Sequence, residues 1–194
     1  TGGWYGASRE VIAYYMDPRN FLNANDVYLF MTQSYDSEHQ TIGPLENIIE
    51  KSFLNAVIND VNDQNYGKPY SEVILQAAKE SKVNPYVLAA TIIQEQGWNG
   101  AELGKGTTYK DKTVYNFFNF GAGGNTSAEV LKNGKKFAYE QGWFTPSEAL
   151  IKGAVRYANN YIKSGQDTYY YKNFNVLNPN KLWHQYAQNV ADSI

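Results

Sequence analysis

The stretch Asn84-Pro85-Tyr86-Val87-Leu88-Ala89-Ala90-Thr91-Ile92-Ile93-Gln94-Glu95-Gln96-Gly97 decides the fold. Asn84 before Pro85 marks a helix start. An Asn side chain accepts from the first unpaired N–H groups, and a proline at the first helical position lacks an N–H that would have had no partner there. Gly97 is the expected stop, in the left-handed conformation that glycine takes without steric cost. Within the helix Pro85–Gln96, Leu88, Ile92 and Glu95 lie four and then three residues apart, so they share one face. This puts a carboxylate at the end of an apolar stripe in the last helical turn. Desolvation by the stripe and the negative end of the helix dipole both disfavour the charged form there. A carboxyl that keeps its proton beside a cleft can protonate a glycosidic oxygen. The competing reading is an acid that points to water just outside the stripe.

Outward from this helix, the chain reads as short helices broken by Asn, Gly and Pro. Towards the N-terminus, Ser8 to Met16 is one helix, and Asp17-Pro18 opens a second, short one through Leu22. Asn25-Asp26 is a further start. From Ile42, the positions Leu45, Ile48, Ile49 and Phe53 recur at helical spacing and carry the helix towards Val57. Ser71 opens another helix through Lys79. Towards the C-terminus, residues 98–128 show little periodicity and read as an irregular lobe with at most a short hairpin. From Ser127, Val130, Leu131, Gly134, Phe137 and Ala138 fit a helix, although Asn133-Gly134 is also a hairpin signal. Thr145, Pro146 and Glu148 form a capping box with proline at the first helical position. The stripe Leu150, Ala154, Tyr157, Ala158 and Tyr161 follows, ending near Gly165. A last helix is expected from about Lys181 to Ala191. The expected class is mainly α, and residues 1–194 read as one catalytic domain.

Composition removes several function classes. With 17 basic against 19 acidic residues and a net charge of -2, no overall basic field attracts nucleic acid. Zero cysteines and two histidines, His39 and His184, are too few soft ligands for structural zinc and leave no thiol nucleophile. No apolar run approaches the roughly 20 residues needed to cross a bilayer. Thr1 opens without a charged and apolar leader, so a soluble mature segment or an excised domain is expected. The positive features are 17 Tyr, 4 Trp, 9 Phe and 21 Asn. Planar rings beside neutral amides suit the apolar faces and hydroxyls of sugars, and they also suit core and turn filling. The mixture is densest after Glu95. Trp98, Tyr109, Tyr115, Phe117, Phe118 and Phe120 are interleaved there with Asn99, Asn116 and Asn119. Adjacent Phe117 and Phe118 are expected to face different ways, some of these rings forming a second small core.

Several colinear motifs carry a resemblance: Tyr14-Tyr15-Met16-Asp17-Pro18-Arg19-Asn20-Phe21-Leu22; Asn84 to Ala90 with Gln94-Glu95-Gln96-Gly97; Tyr115-Asn116-Phe117-Phe118-Asn119 with Gly121-Ala122; Glu140-Gln141-Gly142-Trp143; Gly165-Gln166-Asp167-Thr168; and His184-Gln185-Tyr186. From about Tyr14 to Tyr186 the chain resembles the bacterial autolysin N-acetylglucosaminidases of glycoside hydrolase family 73, clostridial autolysins in particular. The resemblance implies a lysozyme-like single domain with a small irregular or β-containing lobe beside the substrate groove. It implies cleavage of the β-1,4 bond between N-acetylglucosamine and N-acetylmuramic acid in peptidoglycan, with Glu95 as general acid.

The candidate catalytic residues are therefore Glu95, a second carboxylate best placed at Glu129 with Glu102 and Glu140 as rivals, and Tyr186, similar to the family's active-site tyrosine. The candidate substrate-binding residues are Trp98, Tyr115, Asn116, Phe118, Asn119, Tyr157 and Tyr161. If Glu129 does not serve, the substrate's own acetamido oxygen is the alternative nucleophile. No cofactor and no metal are implied. The expected partner is the peptidoglycan glycan strand, with no nucleic acid and no membrane insertion, and the chain is expected to be a monomer carrying wall-binding repeats in a longer precursor. Secretion to the wall of a Gram-positive bacterium follows from the resemblance. A lytic transglycosylase and a catalytically inactive wall-binding module remain as alternatives.

Overall fold

A computed structural model describes residues 6–174. They fall into two compact units, one formed by the N-terminal residues to Gln33 together with those from Asn160 onward, the other by Ser34–Asn159. Tyr186 and the expected helix Lys181–Ala191 lie outside the described residues.

In the first unit, α1 spans Arg9–Met16, and the Ser8 hydroxyl accepts from Val11 N. The Asp17 carboxylate accepts from Arg19 N to open a 3-10 turn over Pro18–Phe21. Hydrogen bonds to Arg19 hold that carboxyl down at about 2. A second 3-10 turn covers Asp26–Phe30, and Asn25 makes no side-chain cap there. Instead the Asn23 carboxamide oxygen accepts from both Asn25 N and Asp26 N, at 3.0 and 3.1 Å. The later segment of this unit carries a short helix, Tyr169–Asn173, capped by Thr168. Gln33 N donates to the Asp167 carboxylate at 3.0 Å, and the Tyr170 hydroxyl donates to Met16 O, which ties the two segments together.

The second unit is built around the helix that the sequence places at its centre. Its elements are α2 Ile42–Ile49, α3 Tyr70–Ser81, α4 Pro85–Gln96, α5 Glu102–Lys105, the strands β1 Thr107–Tyr109 and β2 Lys112–Val114, α6 Ser127–Glu140 and α7, which starts at Pro146 and ends at Asn160. Asn84 caps α4 by accepting from Tyr86 N, with Pro85 in the first turn. α2 and α3 pack on α4 and on each other. Leu45, Leu54, Ile58, Ile74, Leu88 and Ile92 are fully enclosed among them.

Helix α2 is shorter than its periodicity suggests. Ser52 Oγ donates to Ile49 O at 2.8 Å and accepts from Leu54 N at 3.2 Å, so a side chain satisfies the helix end and offers the backbone an alternative to continuing. The next residue, Phe53, donates its N–H to Trp98 O at 2.8 Å.

β1 and β2 form an antiparallel hairpin with Thr107 opposite Val114 and Tyr109 opposite Lys112. It is the small β-containing lobe, and α6 packs against it. The Asn133-Gly134 pair lies inside α6 rather than in a turn. Gly134 has a packing reason to be there: a Cβ would come within 2.6 Å of Leu103 Cδ1.

Trp143 follows α6 and is 2% exposed. Its ring meets Phe120 and Phe137 edge-on at centroid distances of 6.3 and 5.5 Å, and its carbonyl accepts from Tyr115 N at 3.1 Å. Truncating a ring so enclosed removes both its burial and the packing around the void. Trp143→Ala is therefore expected to lower unfolding stability by about 3–5 kcal/mol in urea titration; a loss within a few tenths would contradict this packing.

Candidate active site

The predicted stripe is realised. Leu88 and Ile92 are buried at 1% and 0% exposure, and Glu95 is half-buried one turn further along α4. After Gln96 the chain turns through Gly97 at φ 70° and ψ 165°. This is not the left-handed helical conformation expected from sequence but the extended positive-φ region open almost only to glycine. The turn brings up Trp98, which is 55% exposed.

Opposite the end of α4 runs the segment Tyr115–Phe120. Asn119 holds φ at 51°, a left-handed setting that Asn tolerates better than most side chains. Its Nδ2 donates to Glu95 O at 2.8 Å and to the Glu95 carboxylate at 3.0 Å. Its Oδ1 accepts from Gln96 Nε2 at 2.8 Å. Gln96 Nε2 also reaches Asn116 O and Phe117 O at 3.0 and 3.1 Å. Gln96 is 4% exposed, so α4 presents two neighbouring side chains to this segment: Gln96 locks the backbone and Glu95 receives the amide of Asn119. Gly104 is fitted to the lock, since a Cβ there would stand 3.0 Å from Gln96 Oε1.

Asn116, expected at the groove, is placed as a brace inside the segment. It is fully buried, its Nδ2 donates to Phe120 O at 2.8 Å and Gly134 O at 3.2 Å, and its Oδ1 accepts from Phe120 N at 3.1 Å. No surface of it is left for a polysaccharide.

The rings of the segment are mostly core. Phe117, 0% exposed, stacks between Phe53 and Tyr115 at 6.4 Å from each. Phe118 turns the other way, as expected of its neighbour, and its ring would clash at 2.6 Å with a Cβ on Gly153 of α7. Tyr115, Phe118 and Tyr157 are 7%, 6% and 3% exposed, too enclosed for a sugar to stack on their faces. Tyr161 lies in the other unit with Lys172 Nζ 5.0 Å from its ring centroid. Of the residues expected to bind substrate, Asn119 stands at Glu95 and Trp98 follows it closely in the chain with an exposed ring.

Glu129 takes a structural part. Its carboxylate accepts from Asn125 N at 2.8 Å and Thr126 N at 3.2 Å, while Thr126 Oγ1 accepts from Glu129 N. This is a capping box for α6. The rivals are engaged as well. Glu102 accepts from Lys135 Nζ at 2.7 Å and Thr107 Oγ1 at 2.6 Å, contacts that hold its carboxyl below the usual carboxylate range. Glu140 pairs with Lys136 at 3.8 Å.

Gln96 and Asp60 were not foreseen in this region. The Tyr115 hydroxyl donates to Asp60 Oδ2 at 3.2 Å. Burial first, then the charge of Asp60, pushes the Tyr115 phenol well above its ordinary range. Tyr70, edge-on to Phe117, is pushed up to about 12 by burial, with Asp63 and Asp60 adding to it. Both phenols therefore stay protonated, as donors. Asp63 is 4% exposed and accepts from Ser147 N and Oγ at 2.7 and 2.6 Å, anchoring the start of α7.

No family model matches the chain. Curated relatives and solved structures do. Over 193 residues the chain is 30% identical to a protein named Beta-N-acetylglucosaminidase from Bacillus subtilis (strain 168), a match covering 97% of the chain and 20% of that protein. The chain thus spans about a fifth of that relative's length. The crystal structure of S. aureus glucosaminidase B superposes with a TM-score of 0.72 at 26% identity, covering 100% of this chain and 71% of that one. S. aureus autolysin E matches in two complexes. One is bound to the muropeptide NAM-L-ALA-D-iGLU, at a TM-score of 0.62, 27% identity and coverage of 99% of this chain and 76% of that one. The other is a glutamate-to-alanine catalytic mutant with the disaccharide NAG-NAM, at a TM-score of 0.61, 26% identity and coverage of 97% and 75%. In its sequence and in its mainly helical, lysozyme-like fold, the chain is a homologue of the glucosaminidases of bacterial autolysins.

Proposed function

We propose that this chain is a peptidoglycan N-acetylglucosaminidase acting at the bacterial cell wall, outside the membrane, with Glu95 as its acid. One observation carries the reading: a half-buried carboxyl at the end of an apolar helix face, held in one orientation by the Asn119 amide at 3.0 Å. A glycan-bound catalytic mutant among the structural homologues supports the choice of substrate. The glycan strand would pass Glu95, with the exposed Trp98 ring offering a face for a sugar.

The carboxylates expected to assist are engaged elsewhere, which favours a mechanism with one protein acid. Glu95 gives its proton to the glycosidic oxygen as the bond from that oxygen to the anomeric carbon breaks. The acetamido oxygen of the same sugar attacks the anomeric carbon and closes an oxazolinium ring. Water then adds at that carbon, opens the ring and returns a proton to the Glu95 carboxylate. Two displacements retain configuration, whereas one attack by water from the far face inverts it. We assign Tyr186 to orient the acetamido group through its hydroxyl.

Proton NMR of a digest, recorded before mutarotation, tests this reading. The expected new reducing end is N-acetylglucosamine in the β configuration. An α end would require a second carboxylate, and a non-reducing anhydromuramic end would replace hydrolysis by transglycosylation.

A further inference from the structure

The region around Glu95 contains a cation that its chemistry has not yet used. Arg156 lies on α7, one turn after the Gly153 that admits the Phe118 ring. Its guanidinium carbon stands 5.5 Å from the Phe120 ring centroid and 4.8 Å from that of Phe137. Phe120 directly follows Asn119, the residue that holds Glu95, and is itself pinned by Asn116 through both its N–H and its carbonyl. The rings are fixed in turn, because Phe120 and Phe137 both abut buried Trp143. The guanidinium is thus a flat cation on a rigid aromatic floor, and one ring of that floor belongs to the residue that follows Asn119, the partner of the acid.

Two further features mark it as a recognition group. Arg156 is exposed and forms no ion pair among the described residues. Beyond Phe120 the chain continues as Gly121-Ala122-Gly123-Gly124, where Gly121, Gly123 and Gly124 are exposed and a Cβ on Gly123 would meet nothing within 4 Å. An exposed stretch of chain therefore follows directly on a residue whose ring carries the cation. Stacking on aromatic faces leaves the N–H edge of a guanidinium for a planar two-oxygen acceptor, and it removes part of the ordering cost of binding one.

We propose that Arg156 binds a carboxylate on the peptide stem of the glycan strand, so that stem charge sets which strands are cut. This rests on the reading of the chain as a peptidoglycan glucosaminidase. A stem of the composition bound by autolysin E, ending in D-isoglutamate, supplies such a carboxylate, while an N-acetylglucosamine unit is neutral. An amidated stem has the same shape without the charge.

The test uses Glu95→Gln protein, which cannot consume its ligand, and isothermal titration with soluble glycan fragments. The fragments bear an L-Ala-D-isoglutamate stem, the same stem amidated at its free carboxylates, or no stem. With Arg156 intact, the carboxylate stem is expected to bind about tenfold tighter than the amidated one, the size of a charge-assisted hydrogen bond. In Arg156→Gln that ratio falls to about one, and in Arg156→Lys it lies between, because a point cation lacks the planar fork. Taking the ratio within each protein cancels any loss of folded fraction. A tenfold preference that survives Arg156→Gln overturns the inference, as does equal binding of both stems by the Arg156 protein. Equal binding of all three fragments leaves the glucosaminidase reading standing while sinking this one, whereas binding of none sinks both.

Discussion

Glu95→Gln is expected to abolish lysis of purified peptidoglycan under conditions where the wild type clears the suspension. Glutamine has the size of glutamate, and its carbonyl oxygen can still accept from Asn119 Nδ2, so the local hydrogen bonding at 2.8 and 3.0 Å has no reason to collapse. What it lacks is an acidic proton. A positioned general acid contributes about 10²–10⁴-fold to such reactions, and the drop in initial turbidity rate should fall in that range or beyond. The variant should melt as the wild type does. Lysis at the wild-type rate would remove Glu95 from the chemistry, because the substitution takes away both its acidic proton and its charge while keeping its size.

The second large effect is expected at Asn119. Asn119→Gly deletes the amide while leaving a residue that adopts φ near 51° without steric cost. The Glu95 carboxylate loses its 3.0 Å donor, while Gln96 keeps Asn116 O and Phe117 O as acceptors and so continues to fix the segment. The chemistry should therefore suffer more than the fold. Small misplacements of a reacting group cost about 10²-fold, and a fall of that order in lytic rate is expected. The stability loss should stay near 1–3 kcal/mol, the scale of the hydrogen bonds removed. Asn119→Ala should be less stable than Asn119→Gly, since its Cβ disfavours the left-handed backbone by about 1–2 kcal/mol. Unchanged lysis by Asn119→Gly would mean that the amide does not orient Glu95.

The features legible in the sequence are those with local causes. Asn84-Pro85 marks the start of α4, Thr145-Pro146 marks that of α7, and the spacing of Leu88, Ile92 and Glu95 gives one face because helical geometry requires it. Glu129 shows the converse case. Thr126-Ser127-Ala128-Glu129 has the same T-x-x-E pattern as Thr145 to Glu148, and both glutamates reach back to backbone N–H groups at the start of their helices. The same local signal therefore opens both helices, and at α6 it engages the Glu129 carboxylate.

Long-range partners were not legible. Gln96 reads as a generic amide and Asn116 as a groove residue until the fold places each against backbone carbonyls up to 21 residues away. The rings of residues 115–118 fit a groove or a core equally well by composition, and burial assigns them to the core. The stop of α2 depended on Ser52, whose hydroxyl competes with the helix for Ile49 O. Arg156 carried no sequence signal, since its aromatic floor is assembled from two other segments.

The most direct test of Glu95 as the acid of a peptidoglycan glucosaminidase is to digest peptidoglycan with the wild type and with Glu95→Gln, reduce the products with borohydride and weigh the reduced ends by mass spectrometry. Reduced N-acetylglucosamine from the wild type and none from Glu95→Gln is the expected result. Reduced muramic ends, anhydromuramic ends or equal product from both proteins would contradict it.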